Sequence, residues 1–169
     1  KIEAALEAIN YNPDIIFLQE SPSPAALQII KSKLLEPTVQ IVGGWDCSII
    51  AKGKLTKRNY SSLFYNHATG AMLTLEDGST IELLCIHLES AVTRWDLWNK
   101  KCWKEHQIRS QERRDQLKQL LSEYEKFASN GPKIFGGDFN SPQNSNLFKI
   151  VSNEYTNAFS SIGKGIGNT

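Results

Sequence analysis

Three apolar runs in this chain end in side chains with chemistry to offer. Ile15-Ile16-Phe17-Leu18-Gln19-Glu20 ends in a carboxylate, the run from Ile81 to His87 ends in an imidazole, and Ile134-Phe135-Gly136-Gly137-Asp138-Phe139-Asn140 ends in a carboxylate and a carboxamide. In an extended backbone, residues at i and i+2 point to the same side. Asp138 and Asn140 are therefore expected to present together, with Phe139 turned inward, before Ser141-Pro142 breaks the strand. The competing reading of that stretch is an Asx turn at an ordinary strand exit. Carboxylate oxygens suit a hard divalent ion such as Mg²⁺, which neutralises phosphate charge, and an imidazole can hydrogen-bond or protonate phosphate oxygens. Together Glu20, His87, Asp138 and Asn140 suit phosphoryl chemistry. Taken singly, each has a plainer reading: Glu20 as a surface residue at a strand end, His87 as a structural histidine. His67 and His106 lack comparable context and are read as structural or surface residues.

The elements that must position these groups follow from periodicity. Ile2, Ala5, Leu6 and Ile9 have helical spacing, and Asn12-Pro13 ends that helix. Ile15 to Glu20 has the length of a buried strand. Ser23-Pro24 fits an N-cap followed by proline at the first helical position, with Leu27, Ile30 and Leu34 on the inner face and Glu36-Pro37 as the stop. Val39 to Val42 reads as a short strand, Trp45 to Ala51 as an alternating one, and Ser62 to Tyr65 as another. Asp77-Gly78 between Gly70–Leu75 and Thr80–Leu88 is a strong hairpin signal. Helical spacing returns from Lys104 to Phe127, with the stripe Leu117, Leu120, Leu121, Tyr124, and Asn130-Gly131-Pro132 stops it. A short helix is expected around Leu147, Ile150 and Val151, and the tail from Ser160 to Thr169 reads as irregular. Helices flanking short strands with at least one hairpin indicate an α/β class with a mixed sheet, in two packed sheets.

The length of 169 residues suits one domain with a core that needs no disulfides. With 40% hydrophobic and 22% charged residues, the chain belongs with folded globular sequences rather than disordered ones. No apolar run approaches the roughly 18 residues that span a membrane as a helix. Cys47, Cys85 and Cys102 lack zinc-type spacing, and the apolar surroundings of Cys47 and Cys85 favour buried free thiols. The chain opens at Lys1 within a helical pattern, which reads as a piece of a longer protein.

The run Pro13-Asp14-Ile15-Ile16-Phe17-Leu18-Gln19-Glu20, the step Ile86-His87-Leu88 and the element Gly136-Gly137-Asp138-Phe139-Asn140-Ser141 resemble the endonuclease/exonuclease/phosphatase superfamily, the fold of deoxyribonuclease I. The resemblance covers nearly the whole chain, 1–169, as one domain. It implies a four-layer α/β sandwich of two mixed β-sheets flanked by helices, hydrolysing phosphoester bonds with Mg²⁺ or Mn²⁺. It implies that Glu20 binds the metal, that Asp138 orients or deprotonates the attacking water, that Asn140 contacts phosphate or metal, and that His87 contacts phosphate oxygens. The attack would be in line at phosphorus, with no covalent enzyme intermediate. The family's opening strand with a metal-binding Asn, and its late Ser-Asp-His element, have no counterpart here. The expectation is a domain truncated at both ends and weakly active or inactive alone.

The net charge is +1, but Lys52, Lys54, Lys57 and Arg58 form a basic run, and a second basic stretch from Lys100 to Arg114 includes Trp103 and follows Trp95 and Trp98. Such runs can track a nucleic-acid backbone, and aromatics among them can stack on bases or seat a protein at a lipid surface. The plainer reading is solvated faces and a packed loop. Nuclease or general phosphodiesterase is the leading expectation, with a sphingomyelinase-like lipid phosphodiesterase second. A non-catalytic binding module that keeps the fold is the alternative of another class. Gly163-Lys164-Gly165-Ile166-Gly167 lacks the ending of a phosphate loop and reads as a plain loop.

Overall fold

The structure is a computed structural model that describes residues 2–34, 37–60, 67–90, 96, 98–127, 131–142, 145–151 and 154–162. The expected strand at Ser62–Tyr65, Trp95 and the loop Gly163–Gly167 lie outside the described residues. The chain divides into two compact units, Lys1–His87 with Glu123–Gly137, and Leu88–Ser122 with Asp138–Thr169.

The first unit opens with α1 (Ile2–Ile9), β1 (Ile15–Gln19) and α2 (Pro24–Lys33). Ser23 caps α2 as expected, its Oγ accepting from the Ala26 N–H at 3.3 Å. β2 (Val39–Gly43) and β3 (Cys47–Lys52) follow, and the first sheet has the order β1-β3-β2. Both pairings are antiparallel, so the mixed character expected of two sheets is carried by the other one. Ala5, Leu27 and Ile30 of the helices pack on Ile16, Val39 and Ile50.

The second sheet takes β4 (Lys54–Arg58), β5 (Ala68–Thr74), β6 (Thr80–His87) and β7 (Lys133–Asp138) in that order. β4, β5 and β6 pair antiparallel, β5 and β6 as the expected hairpin around Asp77-Gly78. β7 runs parallel to β6: the Glu82 N–H meets the Pro132 carbonyl, and Gly137 lies against Ile86 further along both. Between the sheets lie Val42, Cys47, Ile49 and Ala51 from one, and Ala71, Leu73, Leu83 and Cys85 from the other. The alternation expected along β3 fails for this reason. Helices cover one face of β3 and a sheet covers the other, so every residue from Cys47 to Ala51 is buried. Cys47 and Cys85 are buried thiols outside any disulfide, as expected, and Cys102 is buried too. The hydrogen bond between Cys47 and Cys85, together with burial, pushes the Cys47 thiol far up, and the same bond pulls Cys85 down.

β4 was not expected, because its lysines read as a solvated run. Lysine is a common guard of an exposed sheet edge, and β4 ends the second sheet on one side among the described strands. Three of the four basic residues in that run bind within the unit. Lys52 pairs with Asp14 at 3.1 Å, Lys57 donates to the Gly43 carbonyl at 3.2 Å, and Arg58 grips Glu82. Glu82 is fully buried in mid-strand. Arg58 Nε lies 3.2 Å from its Oε2 and Nη2 closes on Oε1, while the guanidinium sits 5.6 Å over the Phe127 ring. The Glu82 hydrogen bonds hold the Arg58 pKa above its ordinary value. Arg58→Met strands a buried carboxylate and is expected to cost about 3–5 kcal/mol in urea denaturation. Adding Glu82→Leu should recover most of that loss. A double variant no more stable than the single one would contradict this account.

The long helix α3 (Lys100–Phe127) begins four residues before its expected start. In the first unit Tyr124 is buried, its hydroxyl 2.7 Å from the Glu82 carbonyl and 3.3 Å from that of Ile134, which ties this end of α3 to β6 and β7. In the second unit Leu88, Cys102, Leu117, Leu120, Leu121, Leu147 and Val151 are buried. A 3₁₀ helix (Phe148–Ile150) stands where a short helix was expected, and α4 (Ala158–Ile162) extends into a stretch read as irregular. Among the described residues, no helix is long and apolar enough to cross a membrane.

Candidate active site

Glu20 and His87 belong to the first unit, Asp138 and Asn140 to the second. The structure brings Asp138 and Asn140 together, though not by strand alternation. β7 ends at Asp138, and Asn140 adopts left-handed backbone (φ 47°). Asp138 Oδ1 accepts the Asn140 N–H at 2.7 Å, closing an Asx turn. The turn and the presentation of both polar groups are thus one arrangement rather than rival readings. Phe139 is half-buried, its ring 5.1 Å from that of Phe148.

Backbone groups hold this turn on two sides. The Leu88 N–H donates to the Asp138 carbonyl at 2.9 Å, and Asn140 Nδ2 donates to the Leu88 carbonyl at 2.6 Å. A carbonyl can only accept, so the amide orientation is forced and Oδ1 is the oxygen turned from Leu88. Arg113 Nη1 donates to the Asn140 carbonyl at 2.6 Å and reaches that of Phe139 at 3.4 Å. Arg113 is only 8% exposed, and burial lowers its pKa.

His87 closes β6, and its Nδ1 lies 2.5 Å from Asp46 Oδ2. A carboxylate only accepts, so Nδ1 carries the hydrogen and Nε2 holds the lone pair of the neutral ring. The His87 N–H is fixed to the His67 carbonyl at 2.8 Å. Glu20 follows the last residue of β1 in left-handed backbone (φ 49°). Glutamate has no particular tolerance for that region, and strain of about 1–3 kcal/mol persists where the surroundings enforce it. Here the next residue is pinned, the Ser21 N–H donating to the Asp46 carbonyl at 2.9 Å. Asp46 therefore serves both neighbours, His87 through its carboxylate and the Glu20-Ser21 backbone through its carbonyl.

Asp46 and Arg113 did not stand out in the sequence. Nothing local marks Asp46. Arg113 did carry a signal: it lies four residues before Leu117, on the buried stripe of α3. The second basic stretch is partly spent on internal contacts, with Arg113 on carbonyls and Arg109 3.2 Å from Glu89. Trp98 and Trp103 are 90% and 58% exposed. Among the described residues, no group of three or more His, Cys, Asp or Glu side chains is placed so that it could hold a metal ion. Glu20, in the first unit, offers carboxylate oxygens, the donor type that a hard divalent ion takes while it retains waters.

No protein-family model matches the chain, and no curated protein matches it in sequence. Among solved structures, ANGEL2, a 2′,3′-cyclic phosphatase, matches with a TM-score of 0.57 and 19% identity, over 88% of this chain and 45% of that one. The fold is deoxyribonuclease I-like. At that identity the likeness concerns the fold alone, and this chain spans less than half the length of that protein. Within the deoxyribonuclease I-like frame, β1, β6 and β7 are the strands whose ends carry Glu20, His87 and Asp138.

Proposed function

We propose that this chain carries the hydrolytic centre of a metal-dependent phosphoesterase acting on phosphodiesters by in-line attack of water. The observation that carries the reading is the clamped turn that presents Asp138 with Asn140. The fold shared with a 2′,3′-cyclic phosphatase supports it. Glu20, a carboxylate at the end of β1, would hold Mg²⁺ or Mn²⁺. Such an ion supplies charge neutralisation and orientation at the phosphate. Asp138 orients the attacking water and takes up its proton. His87, its tautomer set by Asp46, hydrogen-bonds a phosphate oxygen through Nε2 when protonated. Preorganisation suits this chemistry, because phosphoryl transfer is catalysed mainly by positioning and electrostatic stabilisation.

Among phosphodiesters, a general phosphodiesterase is favoured over a nuclease, since Lys52, Lys57 and Arg58 are engaged within the fold. Exposed Trp98 and Trp103 favour a lipid phosphodiester as the second reading. Calorimetric titration with Mn²⁺ and an assay on bis-p-nitrophenyl phosphate test the proposal. Glu20→Gln is expected to weaken Mn²⁺ binding by at least about tenfold and to lower Mg²⁺-dependent turnover at least as much, with unchanged thermal stability. Mn²⁺ binding and turnover that are indifferent to Glu20 would overturn this assignment. Absence of both from the chain and from any longer protein that contains it would favour a binding module that keeps only the fold.

A further inference from the structure

We infer that Arg113 is a positioning residue that locks Asn140 in left-handed backbone and so aims the Asp138 carboxylate and the Asn140 amide. The inference rests on the phosphoesterase reading for its consequence in turnover, but its structural basis stands apart.

Three observations converge on Arg113. It is a nearly buried cation, 8% exposed, on the apolar stripe of α3. Among the described residues no carboxylate pairs with it: Nη1 donates to two main-chain carbonyls, and Nε is buried with no hydrogen-bond partner. Burying a guanidinium without a counter-charge is costly, so packing alone would favour an apolar residue at this stripe position. What the guanidinium does there is hold the carbonyls of Phe139 and Asn140, at 3.4 and 2.6 Å.

Those carbonyls belong to the turn that sets both site side chains. Asn140 stands at φ 47°, a left-handed region that asparagine tolerates better than other non-glycine residues and that hydrogen bonds from its surroundings hold in place. Three groups enforce it here: the Asp138 carboxylate on its N–H, the Leu88 carbonyl on its side chain, and Arg113 on its own carbonyl. Only Arg113 comes from outside the strand ends. Losing it frees the last of these bonds, lets the peptide after Asn140 rotate, and loosens the Asx bond to Asp138. The planar fork also matters. A lysine ammonium is a compact, strongly hydrated point charge and lacks the rigid guanidinium geometry.

The test compares Arg113→Lys and Arg113→Met by two readouts: kinetics on bis-p-nitrophenyl phosphate with Mg²⁺, and residue-resolved amide hydrogen exchange. In Arg113→Lys, kcat is expected to fall about 100-fold with KM changed less than threefold, since misplacement by about 1 Å suffices for such a loss. Exchange at the Asn140 amide should accelerate at least tenfold, while amides of Leu83 to Ile86 keep their protection. Arg113→Met should behave alike if it folds, and Arg113→Lys carries the test if it does not. Equal loss of protection at all amides with kcat per folded molecule unchanged would show a merely structural role and overturn the inference. So would full kcat and unaltered Asn140 exchange in Arg113→Lys. If neither the unsubstituted chain nor a longer protein that contains it hydrolyses a phosphoester, the functional reading fails, and the Asn140 exchange rate still decides for or against Arg113.

Discussion

Asp138→Asn is expected to lower Mg²⁺-dependent hydrolysis of a phosphodiester by at least about 100-fold, within the range of a lost general base, while the chain stays folded. The substitution separates the two tasks of this residue. As a turn former, Asp138 offers Oδ1 to the Asn140 N–H at 2.7 Å. An asparagine side chain offers the same oxygen, so the turn, the Leu88 clamp and the Arg113 contacts persist. As the proposed proton acceptor, Asp138 needs a charge that asparagine lacks. The side chain is exposed, so the change in stability should remain within about 0.5 kcal/mol. Initial rates on bis-p-nitrophenyl phosphate and a thermal melt measure both. Asp138→Ala removes the turn acceptor as well and should lose stability that Asp138→Asn keeps. Turnover undiminished in Asp138→Asn would remove Asp138 from the chemistry and leave it a capping residue.

Gly137→Ala is expected to be the most destabilising single methyl in this region, costing at least about 4 kcal/mol. Gly137 sits at φ +143°, and a Cβ there would stand 1.9 Å from the Ile86 carbonyl oxygen and 2.8 Å from its carbon. The obstacle is the backbone of the neighbouring strand, which cannot swing aside as a side chain can. Left-handed strain of about 1–3 kcal/mol adds to the overlap, and the sum approaches the whole stability of a small domain. The next glycine is the internal control. A Cβ on Gly136 would meet Phe17 Cδ2 at 3.3 Å, a ring edge that can give, so Gly136→Ala should cost about 1 kcal/mol. Urea midpoints of the two variants read the difference, and equal midpoints would refute the close approach of β7 to β6 at Ile86.

How much was legible beforehand varied with the range of the interaction. α1, α2, the hairpin of β5 and β6, and β7 stand where periodicity, Ser23-Pro24 and Asp77-Gly78 placed them. Each depends on neighbours within a few residues. β4 escaped notice because lysines on an edge strand look like a loop. β3 defied its alternation because burial on both faces comes from elements distant in sequence. The basic run Lys52 to Arg58 invited a polyanion and found mostly Asp14, Gly43 and Glu82.

By itself the sequence determined which side chains stand at strand ends: Glu20, His87, Asp138 and Asn140 follow apolar runs long enough to be strands, and chain connectivity does the rest. Tertiary structure alone decided what holds them. Asp46 meets His87 across 41 residues and Arg113 meets Asn140 across 27. No periodicity or turn rule acts over such distances. These partners arise only when separate elements pack, and a buried polar group must then find whichever partner the packing brings near. Glu20 takes left-handed backbone, a conformation that glutamate's local sequence would not choose, whereas Asn140 reaches it through a local Asx turn with Asp138.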